Sequence, residues 1–247
     1  MAEGEWLPGN VGGAVRIGAT VHRPTGPWTP AVHALLHHLA DRLPLVPVVY
    51  GLDDEGREVL SYAEGKVEEI LNDAQLVDLV GWTRRYHEAV AGFTHPGPWR
   101  YFPIPHATLI GHNDIAAYNV CFDGDRLAGV FDWDLAGPSN PLQELAFVAW
   151  NGVPMWAELE PPEAARRLRL IADAYGGPSA LEIVHAVVPR IELMIAGIAA
   201  RAAAGDPGMR NLVANGEQER DRATLARLRP RIPAIAAALT AEPHLPS

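Results

Sequence analysis

The sequence is short of two chemically versatile residues, cysteine and lysine. Cys121 is the only cysteine, so no disulfide can form within the chain, which predicts a reducing, cytoplasmic environment. Its neighbours are apolar, and we expect Cys121 to be a small core residue in a strand. Lys66 is the only lysine, whereas arginine is abundant. A permanent positive charge at a ligand site must therefore come from arginine or from Lys66 alone.

Basic charge and long apolar runs are also scarce. The formal net charge is −10, which argues against a nucleic-acid partner because neutralising phosphates needs a basic face. An acidic cleft would instead attract a cationic small molecule. We expect no membrane span, because Glu182, Arg190 and Glu192 interrupt the most apolar segment, residues 179–204. The first residues are acidic and lack the pattern of a secretory signal.

What is present is a set of polar residues arranged around a hairpin. Residues 109–119 contain an H-x-D-x-x-x-x-N pattern formed by His112, Asp114 and Asn119. The strands predicted at 120–122 and 127–131, joined by Asp123-Gly124, would bring Asn119 next to Asp132. One amide and one carboxylate oxygen suit Mg²⁺ when phosphates and water complete its coordination. The alternative is a surface loop followed by an ordinary hairpin, but the complete set favours phosphoryl transfer with Asp114 as base.

These residues resemble the aminoglycoside phosphotransferase family, the small-molecule branch of the protein-kinase-like fold. The family pattern is H-G-D-x-x-x-x-N followed by an apolar residue and D-x-D/E. The chain matches it at His112, Asp114, Asn119, Asp132 and Asp134. The resemblance implies that Asn119, Asp132 and Asp134 bind the metal and that His112 orients Asp132 or a backbone carbonyl. Asn113 replaces the usual glycine, so the loop must reach the same conformation with a side chain present.

The resemblance also implies an α+β fold with two lobes. A small β-rich N-terminal lobe at residues 1–65 would bind the nucleotide and end in a hinge. A larger, mainly helical C-terminal lobe at 66–247 would carry the catalytic loop and the acceptor site. Residues 136–146 resemble the family's G-D-P-x-x-D-L-A segment, with Glu144 in place of the second aspartate. We expect Glu144 to accept backbone N–H bonds from the catalytic loop.

In the small lobe, short strands are predicted at 14–17 and 19–22, and a hairpin at 46–50 and 57–62. Thr29 is predicted to cap a helix from Pro30 to Arg42, with His33 and His37 solvated. Gly12 and Gly13 could let the backbone approach phosphates, or form an ordinary turn. By resemblance, backbone groups of the hinge at Ser61, Tyr62 and Ala63 would bind the nucleotide base.

One part of the family pattern is missing from the small lobe. A kinase-like lobe usually offers the phosphates a strand lysine that pairs with a glutamate on the next helix. Lys66 follows the hinge, and the predicted helix contains no glutamate. Either Arg23, at the end of the second strand, replaces the lysine, or nucleotide affinity is weakened or lost. We favour Arg23.

In the large lobe, helices are predicted from Asn72 or Asp73 to Gly92, over 142–150, 161–175 and 179–204 (kinked at Pro189), and over 217–229. Residues 94–105 form an irregular crossing. The aromatic segment 150–156, with Asn151 and Trp156, would either wall the acceptor pocket or pack in the core.

Two functions follow from this interpretation. The first is Mg²⁺-dependent transfer of the terminal phosphate of ATP or GTP to a hydroxyl of a small molecule, such as an aminoglycoside or another antibiotic or metabolite. The second is a kinase-like binding or immunity protein that sequesters a toxin or antibiotic. The missing lysine and glutamate support the second, whereas the complete set of Asp114, Asn119 and Asp132 supports the first. A protein kinase is discounted because the segment from Asp132 to Glu144 is too short for an activation loop.

Overall fold

The computed structural model describes residues 4–7 and 13–241. It has a small lobe built on one antiparallel sheet and a larger, mainly helical lobe, which confirms the expected α+β arrangement. The sheet has five strands in the order β1-β2-β3-β5-β4. The strands are β1 (Glu5–Trp6), β2 (Val15–Ile17), β3 (Thr20–Arg23), β4 (Val49–Leu52) and β5 (Glu58–Ser61).

Helix α1 (Thr29–Leu39) belongs to the small lobe, and its apolar stripe packs into the core. The predicted cap is wrong: the residue before the helix is Trp28, which makes no capping bond, and the Thr29 hydroxyl accepts a hydrogen bond from the Gly26 N–H at 2.9 Å. His37 is exposed as expected. The expectation for His33 is wrong, since its Nε2 lies 2.9 Å from a carboxylate oxygen of buried Glu58.

The large lobe begins with α2 (Asp73–Ala89), where Asn72 and Gln75 form a reciprocal capping box. Four short strands then surround the predicted loop and hairpin: β6 (Leu109–Gly111), β7 (Val120–Asp123), β8 (Arg126–Val130) and β9 (Gly137–Ser139). Strand β9 was not predicted, and it pairs with β6 so that residues 137–139 lie beside the entrance to the catalytic loop. The remaining helices are α3 (Pro141–Gly152), α4 (Pro161–Tyr175), α5 (Ala180–Ala203), α6 (Pro207–Ala214), α7 (Glu217–Leu228) and α8 (Ile232–Thr240).

Helix α5 is long and apolar enough to cross a membrane by length and composition, so the expectation that charges exclude such a run is wrong on that criterion. Half of its most apolar window is buried inside the fold, as for a core helix, and it contacts α3, α4 and α6. The helix continues through Pro189 without a break. Arg190 lies on its buried side with no exposed surface.

Aromatic packing fixes the floor under the catalytic loop. The rings of Trp82 and Tyr86 on α2 stack at 5.6 Å, and Trp133 meets Tyr86 edge-on at 5.3 Å. The Tyr86 hydroxyl donates to the Ile110 carbonyl at 2.8 Å, which ties α2 to β6. All three rings are essentially buried, so the strand that leads into the catalytic loop rests on a rigid base.

Candidate active site

The loop between β6 and β7 brings Asp114 and Asn119 into direct contact. The Asn119 Nδ2 donates to Asp114 Oδ2 at 2.7 Å and to the Asp114 backbone carbonyl at 3.0 Å. The other carboxylate oxygen of Asp114, Oδ1, accepts a hydrogen bond from the Tyr118 hydroxyl at 3.0 Å. The chain between Asp114 and Asn119 thus folds back on itself, and both oxygens of the Asp114 carboxylate accept hydrogen bonds.

The hairpin brings Asp132 back to the same place. The Phe131 N–H donates to the Asn119 carbonyl at 3.0 Å, just outside the pairing of Val120 with Val130. Asp132 then takes a left-handed backbone with φ of 59°, and its side chain stays 44% exposed. Asn119 and Asp132 therefore lie at the same end of the hairpin, just outside its strand pairing, as the turn signal at Asp123-Gly124 predicted.

His112 lies beneath the loop with no exposed surface. Its Nε2 is 3.2 Å from the Phe131 carbonyl, and its ring centroid is 4.6 Å from that of Trp133. The Asp114 N–H donates to Nδ1 at 3.3 Å, so the network assigns the proton to Nε2. Burial lowers the pKa of His112, which favours the neutral ring over the protonated one. The ring therefore connects the catalytic loop to the backbone that precedes Asp132.

Asn113 reproduces the backbone that a glycine would adopt. Its φ is 65°, in the left-handed region, which Asn enters more readily than most residues with a side chain. The side chain adds contacts that glycine lacks, since Nδ2 donates to the Leu135 carbonyl at 3.1 Å and to the Gly137 carbonyl at 3.2 Å. Asn113 thus links the loop to the segment that follows Asp134.

Glu144 of α3 anchors the loop from below, as expected. Its carboxylate, 2% exposed, accepts the backbone N–H groups of His112 at 2.9 Å and Asn113 at 2.8 Å. Burial alone would raise the pKa of Glu144, but His87, with Nε2 at 3.8 Å, together with His112 and Arg190, outweighs burial, and the pKa is lowered. Glu144 is therefore ionised, and both of its bonds to the loop are charge-assisted.

Arg190 completes the support of the loop and was not identified from the sequence. Its guanidinium NH2 donates to the Asn113 carbonyl at 2.9 Å from a fully buried position. The group also lies over the rings of Phe147 at 4.8 Å and Tyr101 at 5.2 Å. A charged residue in the middle of a mostly apolar helix was the available signal, because such a residue needs a specific partner when it is buried.

The surroundings of Asp114 weaken its acidity. Burial, followed by the negative charge of Asp132, raises the pKa of Asp114 to about 7, and the hydrogen bonds from Tyr118 and Asn119 oppose that rise. A carboxylate with a pKa near neutrality can both hold and release a proton at neutral pH.

Arg23 at the end of β3 reaches into the site as predicted. Its Nε donates to Glu58 at 2.8 Å, one terminal nitrogen donates to Asp132 at 3.0 Å, and the other contacts Asp134. Glu58 stands opposite Arg23 in the pairing of β3 with β5. The sequence suggested that the glutamate is missing, but Arg23 does have a glutamate partner, which comes from the neighbouring strand and not from the helix. Cross-strand register was the signal that could have identified it.

Arg100, in the irregular crossing at 94–105, was also missed. It forms a two-pronged ion pair with Asp206 at 2.8 and 2.9 Å, donates to Asp134 Oδ2 at 3.1 Å, and lies over the Trp28 ring at 4.3 Å. Both oxygens of Asp134, predicted as a metal ligand, therefore accept hydrogen bonds from guanidinium groups.

Whether the site can hold Mg²⁺ depends on which side-chain oxygens accept no hydrogen bond from the protein. Within residues 4–7 and 13–241, no donor contacts Asn119 Oδ1 or Asp132 Oδ2, and no group of three His, Cys, Asp or Glu side chains is arranged to hold a metal. One amide and one carboxylate oxygen fit Mg²⁺ whose other ligands are phosphates and water. The donor set therefore suits a metal that arrives with a nucleotide.

The predicted nucleotide contacts in the small lobe are only partly available. Gly12 lies outside the described residues, and Gly13 has φ of 95°. The Ser61 and Tyr62 N–H groups already donate within the small lobe, to Val48 and Ala19 carbonyls at 2.9 Å each. They are not free donors for a nucleotide base. In the part of the chain that is described, the Ala63 N–H has no such backbone partner.

A pocket of about 380 Å³ opens beside the catalytic loop. It is lined by Val67, Glu68, Glu69, Ala117, Tyr118, Asn151 and Trp156. Trp156 and Asn151 thus wall a pocket, whereas Trp150 and Met155 are buried core residues, so each earlier alternative holds for part of the segment. Lys66 pairs with Glu68 at 2.8 Å, and Glu69 remains exposed.

Comparison with known proteins agrees with this geometry. The profile of the phosphotransferase enzyme family, APH, matches residues 103–183, which include the catalytic loop, the hairpin and α3. A trifolitoxin immunity protein from Rhizobium leguminosarum bv. trifolii is 31% identical over 185 residues, covering 65% of this chain and 69% of that protein.

Solved structures share the fold at lower identity. A choline/ethanolamine kinase family protein from Mesorhizobium loti superposes with a TM-score of 0.58 at 17% identity, over 96% of this chain and 92% of that one. The GDP complex of aminoglycoside 2'-phosphotransferase-IIIa superposes with a TM-score of 0.55 at 13% identity, over 91% and 93% of the two chains. From the matched residues, the immunity-protein relative and the shared fold, the chain belongs to the APH family of phosphotransferase enzymes.

Proposed function

We propose that this protein transfers the terminal phosphate of ATP or GTP to a hydroxyl of a small molecule, with Mg²⁺ as cofactor. The observation that carries the proposal is the contact between Asp114 and Asn119 at 2.7 Å, beside the half-exposed Asp132. A base, an amide and a carboxylate brought together by one loop and one hairpin match the requirements of phosphoryl transfer.

In the proposed reaction, Asn119 and Asp132 would hold Mg²⁺, which neutralises charge on the phosphates when bound. Asp114 orients the acceptor hydroxyl and takes its proton late. Its position is set by Asn119 and by the loop that Glu144 anchors, so most of its effect comes from positioning.

Arg23 would serve the phosphates in place of the missing lysine. It faces Asp132 and Asp134 from the small lobe, with Glu58 holding its Nε. Four carboxylates, including Asp206, meet two guanidinium groups in this cluster, which leaves an excess of negative charge. A divalent cation that binds together with the nucleotide would offset that excess, so that the anionic phosphates can approach Arg23.

The acceptor would enter through the pocket beside Tyr118. Its exposed aromatic rings, Tyr118 and Trp156, and the carboxylate of Glu69 favour a cationic acceptor that carries a hydroxyl group.

A second candidate function is binding without turnover, as an immunity protein that sequesters a toxin or antibiotic. The relative named for trifolitoxin immunity favours it, as does the engagement of both Asp134 oxygens by arginine. Neither observation accounts for the contact between Asp114 and Asn119.

The test is turnover of labelled ATP and GTP against a panel of hydroxyl-bearing antibiotics and amino alcohols, with Mg²⁺ and with EDTA. Asp114→Asn should reduce turnover by a factor of about 10² to 10⁴ while the protein stays folded. Asp123→Asn is the matched control, because this substitution makes the same chemical change at an exposed residue next to the hairpin turn. Retained turnover in Asp114→Asn would remove the base from the mechanism. Tight antibiotic binding without any turnover would favour the second function.

A further inference from the structure

The hydroxyl of Tyr118 contacts the carboxylate of the proposed base, Asp114. Tyr118 lies in the short 3-10 turn at 117–119, between the proposed base and the proposed metal ligand. Its hydroxyl donates to Asp114 Oδ1 at 3.0 Å, although 54% of the residue is exposed. The turn therefore directs a solvent-accessible side chain back toward the reaction centre.

That hydroxyl lies at the distance from Asp114 that a phosphate acceptor requires. A general base must lie about 2.6–3.2 Å from the oxygen whose proton it takes. Asn119 holds the other oxygen of Asp114, and no other side-chain hydroxyl among the described residues donates to this carboxylate. An incoming acceptor must therefore displace the Tyr118 hydroxyl or share Oδ1 with it.

The phenol also belongs to the pocket through which an acceptor would enter. Tyr118 lines that pocket together with Trp156 and Val67. Its hydroxyl is separated from the Asn119 amide only by the Asp114 carboxylate, through two hydrogen bonds. A nucleophile held within the chain reacts at a high effective concentration, provided that it lies in line with the reacting group.

We propose that Tyr118 is an internal phosphate acceptor, so that the enzyme phosphorylates itself there when no small-molecule acceptor is present. The Tyr118 oxygen would form a bond to the terminal phosphorus of a nucleoside triphosphate as the bond from that phosphorus to the bridging oxygen breaks. The nucleoside diphosphate leaves with the electron pair, and the phenolic proton passes to Asp114. The product is a phosphate monoester on Tyr118. This inference rests on the proposed phosphotransferase function.

A consequence is competition between the two acceptors. A phosphate on Tyr118 would carry a charge of about −1.5 to −2 beside Asp114 and at the wall of the pocket. A bound acceptor that displaces the phenol from Asp114 should slow self-phosphorylation. The affinity for cationic acceptors should therefore differ between the phosphorylated and the unmodified chain.

The experiment incubates the full chain with Mg²⁺ and γ-labelled ATP or GTP without acceptor, then maps phosphate by intact mass and peptide analysis. We expect label on Tyr118, with a first-order rate independent of protein concentration. Tyr118→Phe, which keeps the ring and removes the hydroxyl, should lose the label, and so should Asp114→Asn. Tyr50→Phe is the matched control, because Tyr50 is similarly exposed at 61% in the small lobe.

The result separates this inference from the proposed function. Turnover of nucleotide by the wild-type chain with no label on Tyr118 would overturn the inference and leave the phosphotransferase proposal standing. A rate that rises with protein concentration, or equal labelling of Tyr118→Phe, would also overturn it. If the wild-type chain neither binds nor turns over nucleotide, both proposals fail.

Discussion

Glu144→Gln tests whether one buried carboxylate holds the catalytic loop in its left-handed conformation. In the wild type, two carboxylate oxygens accept the N–H groups of His112 and Asn113. Glutamine supplies only one oxygen, so one N–H would face an NH₂ group. Losing one charge-assisted bond and leaving a buried donor unpaired should cost about 2–3 kcal/mol of unfolding free energy. For a chain of this size, that corresponds to a fall in Tm of about 5–10 °C.

Thermal unfolding and amide hydrogen exchange measure the two parts of this prediction. The His112 and Asn113 amides should exchange faster in Glu144→Gln, because their acceptor is weakened. Gln143→Ala is the control, since it changes the same helix one residue earlier without touching the loop, and we expect less than about 0.5 kcal/mol there. A Tm within about 1 °C of the wild type, with unchanged exchange at both amides, would refute the anchoring role of Glu144.

Three further substitutions test the surrounding network. Arg23→Met should destabilise the protein by about 3–5 kcal/mol in urea titrations, because buried Glu58 loses the guanidinium group that pairs with it. Arg23→Lys should recover part of that loss, because it restores the positive charge. An unfolding midpoint of Arg23→Met equal to that of the wild type would contradict this role of Arg23. Asn113→Ala should lose about 1–2 kcal/mol more unfolding free energy than Asn113→Gly, because φ is 65° at this position and alanine is strained there. Equal Tm values for the two variants would count against backbone strain. Burial alone would raise the pKa of Asp206, but hydrogen bonds from Arg100 outweigh it and lower the pKa. Wild-type stability should therefore fall as the pH drops below the ordinary aspartate value of about 4, and Asp206→Asn should flatten this acid limb in thermal melts; a limb as steep as that of the wild type would contradict the pairing.

The sequence by itself determined the geometry of the candidate site to the extent that this geometry is local. His112, Asp114 and Asn119 lie within one short loop, and the tight hairpin of β7 and β8 returns the chain to Asp132. Turn chemistry and strand pairing act over a few residues, so spacing alone could predict that these groups meet. The roles assigned to these residues, and the division of the chain at residue 65, stay predictions.

Only the tertiary structure decided which distant groups support that centre. Glu58 lies 35 positions from Arg23, Arg190 lies 77 from Asn113, and Asp206 lies 106 from Arg100. Periodicity shows which face of an element is buried but not which side chain of another element it meets, because that depends on how the elements pack. The sequence did not identify Glu58 as the partner of Arg23 for this reason: the negative charge comes from across a sheet, on a strand whose register is set by the whole small lobe.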